Sequence, residues 1–174
     1  AFFGVLVMMA TFGVVAYGLL REPMFLWYAL MVGGFALWQA SSEGLFATYV
    51  WPANRFLIDR AIHLFGLLFG GGAIYFTRTY LATPERLPRL DRVIVPWTLG
   101  AFFGVAGWAL LSPGGLQVVG EVSITVIGAT WAVAVSLISF RQGYRPANYY
   151  ILAWFIGCIA AVAQGLRALG WVPS

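Results

Sequence analysis

Val118–Phe140, VVGEVSITVIGATWAVAVSLISF, carries one charged residue, Glu121, in an otherwise almost continuously apolar run. A transmembrane strand alternates polar and apolar residues, and this stretch does not, so it reads as a helix. It is long enough to cross a hydrocarbon layer, which takes about 20 apolar residues in helical form. Working outward, runs of the same character recur at Ala1–Leu20, Phe25–Ala40, Phe56–Tyr75, Val93–Leu111 and Tyr149–Gly170. Together the six use about two-thirds of the 174 residues, with only short connections between them, leaving no room for a soluble domain. Hydrophobic residues make up 61% of the chain and charged residues 9%, more apolar surface than a soluble core could use. The expected fold is all-α: a polytopic transmembrane helix bundle with six helices in one domain, residues 1–174.

The punctuation between the runs suits helix ends. Pro23 and Pro146 stand where a helix begins and a missing N–H costs little, and Ser112-Pro113-Gly114-Gly115 reads as a tight reversal. Asn54, after Trp51-Pro52, is placed to cap the third helix, and Pro96 lies near the start of the fourth. The first segment lacks the basic n-region of a signal peptide. Beginning at Ala1 within an apolar run, the sequence is expected to be a piece of a longer chain.

The basic residues are ten arginines, with no lysine, and they sort by side. Arg21, then Arg78, Arg86, Arg89 and Arg92, then Arg141 and Arg145 follow helices one, three and five; Arg55, Arg60 and Arg167 fall on the other side. Basic residues in short loops stay cytoplasmic, so the first set faces the cytoplasm and the N-terminus lies outside. The net charge of +4 thus reports topology and not nucleic-acid binding, which needs a basic stripe on a soluble surface.

Absences narrow the chemistry. A retinal Schiff base needs a lysine, paired axial haem ligation needs two histidines, and the chain has neither; it also has no G-x-S-x-G motif and no set of metal-ligand residues. We therefore expect no catalytic residue, metal or cofactor. The single cysteine, Cys158, reads as a packing residue. What remains is a group of polar residues at the outer ends of the spans: Gln39, Glu43, Asp59, Arg60, His63, Glu121, Gln164 and Arg167. Asp59 and His63, four apart, share a helical face. Glu43, Asp59, His63, Glu121 and Arg167 are the candidates for an outward-open pocket, because ionisable groups at membrane depth tend to face a bundle interior. The competing reading has them solvated among headgroups. Gly66-x-x-x-Gly70 and Gly100-x-x-x-Gly104 allow close helix packing, within the bundle or in a homodimer, and the eight tryptophans suit interfacial belts.

Several stretches carry a resemblance. Phe25–Pro52, FLWYALMVGGFALWQASSEGLFATYVWP, is followed by Phe76-Thr77-Arg78-Thr79-Tyr80-Leu81 and the Pro-Arg-Leu-Asp-Arg run at 88–92. Later come Gly143-Tyr144-Arg145-Pro146-Ala147-Asn148-Tyr149-Tyr150-Ile151-Leu152-Ala153-Trp154 and Gly170-Trp171-Val172-Pro173. In order and spacing these resemble the bacterial seven-transmembrane receptors with diverse intracellular signalling modules, the 7TMR-DISM family. The first helix departs from the pattern: it ends Val14-Val15-Ala16-Tyr17-Gly18 without an asparagine, and residues 1–174 supply six of the pattern's seven expected helices. The resemblance implies a domain of the bacterial inner membrane that relays an outer ligand-binding event to a cytoplasmic output domain such as a histidine kinase or diguanylate cyclase. An extracytoplasmic sensor domain in the same parent chain and a further helix beyond Ser174 are implied with it. The loop Tyr80–Arg92, with Arg78, Arg86, Arg89 and Arg92, and the loop bearing Arg141 and Arg145 are the candidate cytoplasmic contacts, or a basic surface resting on membrane lipids. The alternative is a structural subunit of a membrane complex or a small-solute transporter, although transporters place polar residues at the midplane and these midplanes are apolar.

Overall fold

The computed structural model describes residues 2–52, 54–111 and 115–155; the side chains of residues 55, 56, 59, 94, 105, 106, 109, 110 and 115–127 lie outside the described set. Among the described residues the chain is helical, with no strand. Six helices are bounded: α1 (Phe2–Leu20), α2 (Pro23–Ser42), α3 (Arg55–Tyr80), the short α4 (Thr83–Arg86), α5 (Pro88–Leu111) and α6 (Gly115–Arg141). Residues 146–155 are helical as well. The all-α class is as expected from the apolar runs. By length and composition, α1 and α2 are the described helices long and apolar enough to cross a membrane.

The chain divides into two compact units, Ala1–Trp131 and Ala132–Ser174. In the first, α1 buries only Leu6, Gly13 and Ala16. The rest of its surface is apolar and outward, with Met8 73% and Leu19 78% exposed. Hydrocarbon, not water, is the solvent that suits such an exterior, since a contiguous apolar patch of this kind is rare on soluble monomers. Arg21, in the left-handed region at φ 58°, turns the chain into α2, which opens on Pro23. That proline forfeits no helical hydrogen bond, because the first N–H groups of a helix have no partner in any case.

α2 and α3 are antiparallel and meet closely. A Cβ at Gly34 would lie 2.5 Å from the Phe69 amide nitrogen, and one at Gly72 would lie 2.7 Å from that of Met31. The backbones therefore touch at two levels, which only glycine permits. Between and beyond these points aromatic rings close the seam. Trp27 stacks on Tyr75 with centroids 4.5 Å apart, Phe35 packs on Phe69 at 5.3 Å, and Trp38 covers Gly66. After α2 the chain reverses at Gly44, φ +74°, and passes through a π-helical turn, Phe46–Val50. Asn54 caps α3 as its position suggests, accepting a hydrogen bond from the Leu57 N–H at 3.2 Å.

α3 extends to Tyr80, past the apolar run that ends at Tyr75. Thr77 and Thr79 donate their hydroxyls to the carbonyls of Ala73 and Tyr75, at 2.6 and 2.8 Å, so these polar residues stay inside a continuous helix. α5 begins at Pro88, earlier than the apolar run at Val93. Pro96 consequently sits in the helix interior, where it removes the N–H that would bond the Arg92 carbonyl. Phe102 on α5 is 1% exposed and fills the space left by the missing side chain of Gly70 on α3.

In the second unit, α6 ends at Arg141 and Gly143, φ +79°, turns the chain, its N–H donating to the Phe140 carbonyl at 2.9 Å. The helical run over 146–155 then starts on Pro146. Ser136, Ser139 and Ala147 are fully buried, and the Ser136 hydroxyl donates to the Ala132 carbonyl at 2.5 Å.

Candidate functional site: a clasped loop between two long helices

Seven residues, 81–87, join α3 to α5, and three of them are withdrawn from solvent. Leu81 is fully buried, Thr83 and Leu87 nearly so. Ala82 takes the left-handed conformation at φ 49°, which folds the chain back at once into α4. The Leu87 N–H donates to the Thr83 carbonyl at 2.9 Å and the Asp91 N–H to the Leu87 carbonyl at 2.8 Å, leading directly into α5. The connection is thus a folded knot and not a loose strap.

An ion pair closes it. Arg78 is in the last turn of α3 and Asp91 in the first turn of α5, each at the helix end whose dipole favours its charge. Arg78 Nε donates to Asp91 Oδ1 and Nη2 to Oδ2, both at 2.8 Å, a bidentate fork. The Thr83 hydroxyl donates to Asp91 Oδ1 at 2.9 Å and lies 3.3 Å from the Arg78 carbonyl. Asp91 is buried, while the Arg78 side chain is about one-third exposed. Arg78's hydrogen bonds hold the Asp91 carboxyl below the usual carboxylate range, with Thr83 adding to them against the opposing effect of burial. The same bond raises the Arg78 guanidinium. Beside the pair is a cleft of about 560 Å³, walled by Tyr75 of α3 and by Pro84, Pro88, Arg92, Val95, Pro96 and Leu99.

The expected loop arginines thus divide. Arg78 is captured by Asp91, whereas Arg86, Arg89 and Arg92 are exposed. Arg141 and Arg145, in the second unit, are exposed as well. Among the outer-pocket candidates, Glu43 is exposed at the end of α2 and accepts a hydrogen bond from Gln39 Nε2 at 3.0 Å. His63 is half-buried on α3. Asp59 and Glu121 belong to α3 and α6, with side chains outside the described set, and Arg167 lies outside the described residues altogether. Sequence reasoning singled out Arg78 as a loop cation but missed its partners Asp91 and Thr83. The available signal was an acid three residues after Pro88, in the first turn of a helix, where the dipole favours a carboxylate.

Long helices whose outward surface is apolar, as in α1, are the pattern of a membrane domain. The family model described as 7TM diverse intracellular signalling matches residues 1–174. The chain belongs to this family. No curated protein and no solved structure matches it. Membership in 7TM diverse intracellular signalling makes the chain a membrane protein of a receptor-type signalling class. It also gives the Arg78–Asp91 clasp its setting, at the junction of two long helices in a signalling domain.

Proposed function

We propose that the chain is the transmembrane relay of a bacterial inner-membrane receptor, with six spans in residues 1–174, the N-terminus outside and the α3–α5 loop in the cytoplasm. An outer sensor domain and a cytoplasmic output domain belong to the same parent chain, with a further span following Ser174; the relay domain itself does no catalysis. The observation that carries this reading is the Arg78–Asp91–Thr83 clasp on the arginine-rich side of the chain. There, a shift of α5 relative to α3 would be delivered as a change in the shape of the folded loop.

A relay needs two states whose balance a ligand alters through its different affinity for each. A bidentate, directional pair supports that requirement, because it is either made or broken and does not stretch continuously. Arg86 and Arg89, exposed around the knot, are the side chains through which the loop meets the output domain.

Glu85 is exposed on α4, which makes it the place to test the topology. In the full-length protein, Glu85→Cys should resist a membrane-impermeant maleimide in intact cells and react once the cells are permeabilised. Reaction in intact cells would reverse the topology and remove the loop from the output side. Asp91→Asn should shift the basal activity of the output domain, and unchanged basal and stimulated activity would remove the clasp from the relay.

A further inference from the structure

The cleft beside the clasp has a charge and a polarity gradient that the clasp itself does not use. Arg78 and Asp91 neutralise one another. Arg92, exposed on the same wall and without an ion-pair partner among the described residues, leaves the site with one net positive charge. Below it the wall becomes apolar: Val95, Pro96 and Leu99 follow Arg92 on one face of α5, at the three- and four-residue spacing of helical neighbours. From Arg92 to Leu99 the helix rises about 10 Å, from a charged rim to a hydrocarbon-compatible floor. Pro96 adds an acceptor, since the Arg92 carbonyl has lost its helical N–H donor next to that wall.

We propose that this cleft binds one anionic phospholipid, with Arg92 holding the phosphodiester and Val95, Pro96 and Leu99 lining the path of the upper acyl chain. A phosphodiester of charge −1 matches the single uncompensated cation. A cleft of about 560 Å³ is far larger than inorganic phosphate needs, and its apolar floor has no use for a soluble anion. The freed carbonyl suits a headgroup that donates a hydrogen bond, as a glycerol headgroup does. The site requires only that the chain is a membrane protein, whichever side the loop faces. Its failure is therefore separate from failure of the topology read at Glu85.

The test is native mass spectrometry of the purified full-length protein, stripped of lipid and titrated with phosphatidylglycerol or phosphatidylcholine of identical acyl chains. One phosphatidylglycerol should remain bound at collision energies that remove phosphatidylcholine. Arg92→Gln should weaken that binding about 5-fold, the effect of losing one arginine near an anionic surface, whereas Arg92→Lys should largely keep it. Leu99→Trp, which fills the apolar floor, should expel the lipid while the helical circular dichroism stays unchanged. Equal retention of the two lipids, or wild-type retention by Arg92→Gln, would overturn the proposal. Displacement of phosphatidylglycerol by millimolar inorganic phosphate would overturn it too, by showing that the cleft takes a soluble anion.

Discussion

Toward α2, α3 meets its neighbour backbone to backbone, with Gly34 against Phe69 and Gly72 against Met31, and Trp27 lying flat on Tyr75. Toward α5, the same helix relies on Phe102 seated over Gly70 and on the Arg78–Asp91 fork at its end. The two junctions respond differently to a push. Where backbones touch, no flexible side chain can absorb a slide, so α2 and α3 act as one rigid hairpin. Where a charged fork and a seven-residue knot make the connection, a second arrangement needs only new partners for a few polar atoms. The hairpin therefore provides the frame, and in the proposed relay the α5 junction is where motion would be concentrated.

The sharpest way to break this contrast is to insert atoms into the frame. Gly34→Val should cost about 3 kcal/mol, the upper part of the usual range for overpacking, because the nearest atoms are main chain and cannot rotate away. Gly33→Ala, which faces open space one position earlier, should stay within about 0.5 kcal/mol of wild type. Denaturant unfolding of the two variants in detergent reads the difference, and similar midpoints would disprove the backbone-contact account.

At the other junction, Asp91→Asn should cost about 1.5–3 kcal/mol, the range for hydrogen bonds involving charged groups. The loss should be local. Hydrogen–deuterium exchange should quicken over residues 81–92 and remain slow over 27–38; a uniform change would mean that the two junctions are not separable.

Acid offers a milder route to the same pair. The Asp91 carboxyl is held below its ordinary value, about 3.9 in an unfolded chain, so the clasp's contribution is complete above that pH and is lost only as pH falls through the lower folded value. Exchange at 81–92 should therefore show no clasp opening between pH 8 and 5, once corrected for the intrinsic rate. Opening in that window would assign the loop's stability to some other titrating group. Smallest of all, Asn54→Ala should cost about 1 kcal/mol and fray only the first turn of α3. An effect that reached Arg78 would contradict the rigidity claimed for the helix.

The helical class was legible because it depends on local, one-dimensional information: the length of apolar runs and the residues that interrupt them. Asn54 was legible as a cap for the same reason. The extension of α3 to Tyr80 was not, because Thr77 and Thr79 look like a helix end until their hydroxyls are seen bonded within the helix. Pro96 looked like a residue near a helix start because α5 begins several residues before its apolar run, on Pro88. The clasp was half legible. Arg78 was visible as one of several loop arginines, but which of them is captured depends on the rotation of α3 about its axis and on the left-handed turn at Ala82, and neither follows from hydropathy. Glu43 accepts a hydrogen bond from Gln39, a four-residue neighbour already in the same outer polar group.

On the topology proposed above, the order in which the clasp residues are made would give Arg78 two successive jobs. Arg78 leaves the ribosome thirteen residues before Asp91. When α3 is being oriented, its guanidinium is still unpartnered and counts in full as a retention signal on the side proposed above to be cytoplasmic. On that topology the carboxylate could reach it only after α5 had followed, and the charge that would have set the direction of threading would then be neutralised to tie the finished helices. Moving the acid upstream of the arginine would invert that order, leaving a neutral pair at the moment of orientation although the mature protein would carry the same charges.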